Sequence, residues 1–213
     1  MIDNHQFRSL FNLLRNTYGF RYWWPARDPL EVLEGAILAQ NTNWNNVERA
    51  LESIKGMGPR ELLDSPDIPS KIRSAGFYRQ KSYYLKTAIK YYVEKIDSCS
   101  LPSSTREELL RLKGIGRETA DSIALYAFHE RTIPIDSYTL RLFNRFFLEE
   151  LTLKDYEFLR TQLSISFLTE ELMEFHALVD EHSKQKCRRK PLCDSCPLRE
   201  KCLFGVRKLS HSL

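Results

Sequence analysis

Long apolar runs are absent from this chain, and their absence argues against a membrane-spanning protein. No stretch approaches the roughly 20 apolar residues that a transmembrane helix needs, so we expect no membrane partner. The N-terminal segment lacks the apolar region of a secretory signal peptide, and we therefore expect a cytoplasmic protein. The chain has no internal repeat, no low-complexity linker and no convincing strand alternation. Helical periodicity remains, and it predicts an all-α protein.

The composition is that of an ordinary folded protein, but the charge is unevenly spread. Hydrophobic residues make up 42% and charged residues 28% of the 213 positions, enough for one large domain or two small ones. The net charge is +4, and nine Lys and Arg residues lie between Lys184 and Lys208. This basic tail is consistent with phosphate contact, although a solvated tail explains the charge more simply.

A glycine hairpin followed by an aspartate is the most informative pattern. Leu112–Glu118 reads L-K-G-I-G-R-E, and an apolar-periodic helix follows it. Gly114 and Gly116 suit a tight turn that approaches another molecule closely, and N–H groups at a helix start can seat a phosphate. Asp136 comes twenty residues after Gly116, at another helix start. It is therefore an N-cap candidate and, if the seat holds DNA, a carboxylate beside DNA.

Four of the five cysteines cluster near the C-terminus with the spacing C-x5-C-x2-C-x5-C: Cys187, Cys193, Cys196 and Cys202. Clustered thiols in a chain of this kind favour metal over disulfides. The spacing alone leaves zinc and a [4Fe–4S] cluster equally open. Cys99 lies far outside the group, and we expect it to be a simple core or surface residue.

Together these motifs resemble the endonuclease III, or helix-hairpin-helix-GPD, superfamily of DNA glycosylases. Its hairpin reads L-P-G-[VI]-G-R, with Lys113 here replacing the usual Pro, and its catalytic Asp follows at about this distance. The resemblance covers residues 20–204, which is most of the chain. It implies Asp136 as the catalytic residue, and Gly114, Gly116 and Arg117 as contacts to the DNA backbone.

The resemblance also implies two helical lobes with a DNA-binding cleft between them. Residues 21–128 would form a six-helix barrel, with the helix-hairpin-helix at about 105–128. Residues 1–20 plus 129–213 would form the second lobe. The superfamily carries a C-terminal C-x6-C-x2-C-x5-C iron–sulfur loop, so the resemblance implies a [4Fe–4S] cofactor in loop 187–202, ligated by the four clustered cysteines and structural in role.

Glu118 and an aromatic motif indicate which subgroup of the superfamily the chain resembles most. Bifunctional members carry a Schiff-base Lys where this chain has Glu118, which implies a monofunctional enzyme with weak or absent AP lyase activity. The W-W-P run with Trp23 and Trp24, and an aromatic two residues after the Q-N-T loop, look like the 3-methyladenine glycosylases. That likeness implies that both tryptophans and Trp44 line the base pocket, and that Gln40 inserts into DNA. On composition alone, tryptophans in a helical protein are more often core residues.

The leading hypothesis is therefore a monomeric, cytoplasmic and nucleoid-associated glycosylase. It would excise alkylated purines such as 3-methyladenine from damaged double-stranded DNA. One alternative is an endonuclease III-like glycosylase and AP lyase for oxidised pyrimidines or mismatched uracil and thymine. The other is a non-catalytic DNA-binding iron–sulfur module.

Overall fold

A computed structural model describes residues 2–21, 28–98 and 105–210 of the chain. These ranges contain helices and no strand, which confirms the all-α prediction. No helix within them combines the length and the apolar composition that a bilayer crossing requires. Trp23, Trp24 and Cys99 lie outside the described residues, so the expectations for these three remain predictions.

Twelve α-helices and three short 3-10 turns follow one another in the described ranges. The helices are α1 Asn4–Tyr18, α2 Pro29–Leu38, α3 Trp44–Ile54, α4 Pro59–Asp64, α5 Ile68–Lys71, α6 Tyr78–Ser98, α7 Thr105–Leu109, α8 Arg117–Phe128, α9 Ser137–Phe146, α10 Tyr156–Ser166, α11 Thr169–Gln185 and α12 Leu203–Ser210. The 3-10 turns are Arg73–Ala75, Leu153–Asp155 and Cys193–Ser195.

Two segments differ from what periodicity predicts. A helix predicted over 105–112 ends at Leu109, where the chain enters the hairpin through tighter i to i+3 bonds. The short helix α12 was not predicted, because the basic and cysteine-rich sequence around it hides its apolar positions.

The chain divides into two compact units. The continuous unit is Trp24–Glu130, and the split unit joins Met1–Trp23 to Arg131–Leu213. The further description of the continuous unit as a six-helix barrel stays a prediction.

The continuous unit is built around α2, which is apolar on nearly every side. Asp28 caps its start by accepting hydrogen bonds from two backbone N–H groups, and Pro29 at the first position needs no such partner. The helix packs against α6 and α8 and buries Leu33 and Ile37 completely. The loop that follows α2 contains Gln40, and it lies next to the hairpin.

The split unit has a core of phenylalanine rings. Helix α1 packs on α10 and α11, and α9 packs on α11. Ring centroids lie 5.3 Å apart for Phe7 and Phe143 and 5.4 Å apart for Phe11 and Phe167, within the range of favourable aromatic pairs. The N-terminal helix thus completes the core that supports Asp136.

Candidate functional site

The hairpin between α7 and α8 needs its two glycines for different reasons. Gly114 has φ +89°, and a Cβ added there would collide with the ring of Tyr84. Gly116 is the N-cap of α8 with φ −89°, and nothing lies within 4 Å of where its Cβ would be. No side chain caps the helix at Gly116. The first glycine therefore allows the turn, and the second leaves the backbone open to an approaching group.

A buried ion pair joins the two helices that flank the hairpin. The Nε atom of Arg106 on α7 lies 2.7 Å from Oδ1 of Asp121 on α8, with the two side chains 7% and 0% exposed. The backbone N–H of Arg106 also donates to Glu130 at 3.1 Å. Breaking such a pair leaves an uncompensated buried charge, so it holds the helix pair firmly.

The Gln40 loop lies against the hairpin. Nε2 of Gln40 donates to the carbonyl of Gly114 at 2.9 Å and to the hydroxyl of Thr119 at 3.1 Å. The preceding turn is fixed from inside, because the nearly buried Lys81 donates to the carbonyl of Leu38 at 2.8 Å. Burial lowers the pKa of Lys81 to about 8. The structure thus brings two predicted site residues together, while insertion of Gln40 into DNA stays a prediction.

The residues around Gly116 are displayed at the surface. Arg117 and Glu118 are exposed in the first turn of α8, where N–H groups point outward. Lys113 provides an amine in the hairpin, five residues before the position at which bifunctional members carry their lysine. Its Nζ lies 5.6 Å from the ring centroid of Tyr83, in a cation–π contact.

Trp44 lines a cavity rich in carboxylates. It is half-buried at the first position of α3, whose N-cap Asn43 accepts a hydrogen bond at 3.1 Å from the backbone of Asn46. The acidic residues that line the same cavity are Asp28, Glu31, Glu34, Glu48 and Glu52. Burial raises the pKa of Glu34 to about 8, and the charges of Glu31 and Asp28 add to the effect. Such a cavity favours a cationic occupant.

Asp136 has one carboxylate oxygen fixed and the other open. As the N-cap of α9, its Oδ1 accepts hydrogen bonds from the backbone N–H and from the hydroxyl of Thr139, both at 2.8 Å. Within the described ranges, no hydrogen bond reaches Oδ2. A half-buried, oriented carboxylate with a free oxygen can stabilise positive charge or bind a water molecule.

Two titratable side chains of α11 also belong to this neighbourhood, although helical periodicity alone would assign them to packing. His176 and Asp180 are buried on one face of α11, and the charge of Asp136 acts on both. Burial lowers the pKa of His176 and raises the pKa of Asp180, whose carboxylate lies 2.6 Å from Nζ of Lys184. The four-residue spacing of these three residues on α11 was the available signal.

The four clustered cysteines line one cavity, together with Arg145, His182 and Arg199. All four are free thiols, with Cys187 buried and the others half-buried. No group of three or more His, Cys, Asp or Glu side chains among the described residues has an arrangement suited to a single metal ion. Nε of Arg199 is buried without a hydrogen-bond partner in the described part of the chain. Four sulfur donors and an unsatisfied cationic donor fit an anionic group held by thiolates.

Two arginines of α9 fasten the cysteine loop. Nε of Arg141 donates to the carbonyl of Cys187 at 2.8 Å. The guanidinium of Arg145 donates to the carbonyls of Arg188 and Arg189 at 2.6 and 2.9 Å, and one of its N–H groups lies 3.4 Å from Sγ of Cys187. Because Asp136 caps the same helix, α9 carries both the candidate catalytic residue and the support of the loop.

A buried histidine lies on the other side of the cysteines. Nδ1 of His182 is 2.8 Å from the hydroxyl of Tyr18, and its Nε2 is 3.8 Å from Sγ of Cys196. Burial lowers the pKa of His182 to about 4 and raises the pKa of Tyr18 to about 12.

Known proteins share this fold and these motifs. The family model of the HhH-GPD superfamily of base excision DNA repair proteins matches residues 35–164. The "Putative DNA repair glycosylase" of Methanocaldococcus jannaschii is 39% identical over 92% of this chain and 94% of its own. Endonuclease III of Sulfolobus acidocaldarius is 32% identical over 87% and 86%. The solved structure of a non-covalent endonuclease III–DNA complex has a TM-score of 0.81 at 22% identity, covering 99% of this chain and 100% of that one.

The protein is accordingly a base excision repair DNA glycosylase by class, and the motif-based assignment to a superfamily is confirmed. The chain belongs to the HhH-GPD superfamily, since the family model covers more than half of it and relatives above 30% identity align over most of its length.

Proposed function

We propose that this glycosylase hydrolyses the N-glycosidic bond of alkylated purines such as 3-methyladenine in double-stranded DNA, without cleaving the strand. The observation that carries the proposal is the geometry of Asp136: Thr139 holds Oδ1, and Oδ2 accepts no hydrogen bond from the described residues. Breaking a glycosidic bond creates positive charge on the sugar, and a nearby carboxylate stabilises that charge. The open oxygen can also orient the attacking water.

Glu118 supports hydrolysis over lyase chemistry. An AP lyase forms a Schiff base through an amine, and a carboxylate cannot do so. The carboxylate at this position therefore favours a monofunctional enzyme.

The cavity beside Trp44 supports a cationic base as the substrate. A 3-methylated purine carries positive charge, which both weakens its glycosidic bond and attracts it to an indole face, by roughly 0.5–2 kcal/mol. The other acidic side chains that line this cavity, Asp28 and Glu31 among them, add to the attraction. We propose that Trp23 and Trp24 contribute further stacking surfaces to base recognition.

The hairpin and the Gln40 loop would hold the DNA. The open backbone at Gly116 and the first turn of α8 suit a phosphate oxygen, and Arg117 adds a positive charge at the same place. Base release requires the target nucleotide to leave the stack. We propose that Gln40 then exchanges its contact with Gly114 for the space that the nucleotide leaves.

The cysteine cavity supports a [4Fe–4S] cluster as the resident cofactor. All four cysteines line one cavity, as thiolates that share one metal centre must. The superfamily resemblance, with its C-terminal iron–sulfur loop, favours the cluster over zinc. A [4Fe–4S] core of charge 2+ with four thiolates carries a net charge of about −2 and matches the cationic Arg145 and Arg199. When bound, the cluster would supply structural cross-linking of loop 187–202.

Base release from methylated DNA tests the proposal directly. Duplex DNA treated with a methylating agent is incubated with the protein, and the released bases are separated chromatographically. We expect 3-methyladenine in the soluble fraction and intact abasic strands. The Trp44→Ala variant should lose most of this release while keeping its affinity for undamaged duplex. Absence of any methylated base with the unaltered protein would refute the alkylpurine specificity.

The second candidate is an endonuclease III-like enzyme for oxidised pyrimidines or mismatched uracil and thymine, and the name of the Sulfolobus relative favours it. Borohydride treatment with abasic duplex separates the two candidates. Efficient covalent trapping would favour the second candidate, because borohydride reduces the imine that an enzyme amine forms with the abasic sugar and thereby fixes the covalent complex.

A further inference from the structure

A chain of polar contacts joins the end of α1 to one of the clustered cysteines. The hydroxyl of Tyr18 lies 2.8 Å from Nδ1 of His182, and the two rings meet edge to face at a centroid distance of 5.8 Å. The opposite ring nitrogen, Nε2, lies 3.8 Å from Sγ of Cys196. His182 is only 2% exposed, so water does not compete for either nitrogen.

The chemistry of the three groups fixes the direction of the hydrogen bonds. A neutral imidazole has one donor and one acceptor nitrogen. A thiolate ligand of iron has no proton to donate, so Nε2 of His182 must carry the hydrogen that points at Cys196. Nδ1 is then the acceptor, and the hydroxyl of Tyr18 is its donor. Tyr18 thereby selects the tautomer that presents N–H to the sulfur.

We propose that His182 and Tyr18 are positioning residues for the Cys196 ligand, raising the reduction potential of the cluster and slowing its loss. This inference rests on the [4Fe–4S] assignment made under the proposed function. A hydrogen bond to a ligand sulfur withdraws negative charge and stabilises the more negative, reduced cluster. The same bond holds the sulfur in place, and removing an outer partner of this kind typically weakens metal binding by about 10- to 100-fold.

The position of Tyr18 gives the contact a structural consequence. Tyr18 is the last residue of α1, and α1 packs on α11, which carries His182. The N-terminal helix and the cysteine loop are far apart in sequence, and the imidazole of His182 contacts both of them. Retention of the cluster should therefore depend on the docking of α1.

Four variants of the full-length protein test the inference. His182→Phe keeps an aromatic ring but removes both nitrogens, whereas His182→Gln restores a donor at the place of Nε2. Tyr18→Phe removes only the hydroxyl. Tyr91→Phe is the matched control, because it also loses a hydroxyl with a 2.8 Å hydrogen bond, in that case to Glu108 in the continuous unit.

The readouts are iron release to a chelator and the midpoint potential of the cluster. We expect His182→Phe to release iron roughly 10-fold faster or more and to have a lower potential. Tyr18→Phe should change both quantities in the same direction by less, and His182→Gln should recover part of the loss. Tyr91→Phe should behave as the unaltered protein. Circular dichroism confirms that each variant keeps its helices.

The outcomes separate this inference from the proposals on which it rests. Iron-loaded variants with unchanged release rates and potentials would overturn the role of His182 and Tyr18 alone. Purified protein that carries zinc and no iron would overturn the cluster assignment and this inference with it. The alkylpurine activity is decided independently, by the release of methylated bases.

Discussion

In the continuous unit the hairpin and the Gln40 loop are fastened by buried polar side chains, whereas in the split unit Asp136 and the cysteine loop are attached to an aromatic core. Arg106, Asp121 and Lys81 make the first set of contacts. Helix α9, held by phenylalanine rings, provides the second through Arg141 and Arg145. The continuous unit therefore forms its candidate DNA contacts from protein groups alone. The split unit also contains four free thiols that line one cavity and could ligate a metal centre.

The comparison also separates two tasks. The phosphate seat and Trp44 belong to the continuous unit, and the candidate catalytic carboxylate belongs to the split unit. Substitutions in the continuous unit should therefore change DNA binding or stability. Substitution of Asp136 in the split unit should change the rate of base release.

The largest expected effect is the loss of base release when the Oδ2 atom of Asp136 is replaced. Asp136→Asn should lower the single-turnover rate of base release by roughly 10²- to 10⁴-fold. Its affinity for DNA should be kept, because the asparagine oxygen still accepts from Thr139 and caps α9. Fluorescence anisotropy and base release measure the two quantities separately. A fully active variant would show that Asp136 is not the catalytic residue, and would contradict the assignment of catalysis to the split unit.

Breaking the buried ion pair should come next. Asp121→Ala removes the buried partner of Arg106 and leaves its guanidinium with the exposed Glu107, 3.0 Å away, which should reduce the free energy of unfolding by about 3 kcal/mol. The double variant Arg106→Met with Asp121→Leu should recover most of that loss, since apolar packing replaces the pair without leaving a charge. Urea denaturation followed by circular dichroism measures both. A single variant that costs under about 1 kcal/mol would show that the pair does not fasten the hairpin.

The two hairpin glycines offer a matched pair. Gly114→Ala forces an alanine to a positive φ and against the ring of Tyr84, so it should cost about 2–4 kcal/mol of stability. Gly116→Ala meets no neighbouring atom and should change stability by less than about 0.5 kcal/mol. It should nevertheless weaken binding to duplex DNA several-fold. Equal DNA affinity in Gly116→Ala and the unaltered protein would argue against the phosphate seat.

The smallest effect concerns pH and the buried Glu34. Burial raises its pKa to about 8, while the unfolded chain should have the ordinary value of about 4.3. Between these values the unfolded state binds fewer protons, so stability falls as pH rises through this window and levels off above it. Glu34→Gln should remove that decline, stabilising the protein by about 1–3 kcal/mol at about pH 8.5 and hardly at all at about pH 4. Thermal unfolding across this range provides the measurement, and an identical pH dependence in both proteins would contradict it.

Local patterns predicted the parts of the site that depend on local geometry. Gly114 at positive φ and Asp136 at a helix N-cap follow from turn and capping chemistry, which the sequence displays directly. Lys81 and Glu34 could not be found in this way, because their surroundings come from other helices. The same holds for His182, which helical periodicity assigns only to packing.

The sequence by itself determined the all-α class, the superfamily and the identity of the residues that carry its motifs, because glycine turns, helix caps and cysteine spacing act over a few residues. Only the tertiary structure decided which of them meet. It brought Gln40 to the carbonyl of Gly114, placed Tyr18 and His182 beside Cys196, and left one oxygen of Asp136 open. These contacts join segments distant along the chain, and the packing of helices, not local propensity, sets such distances.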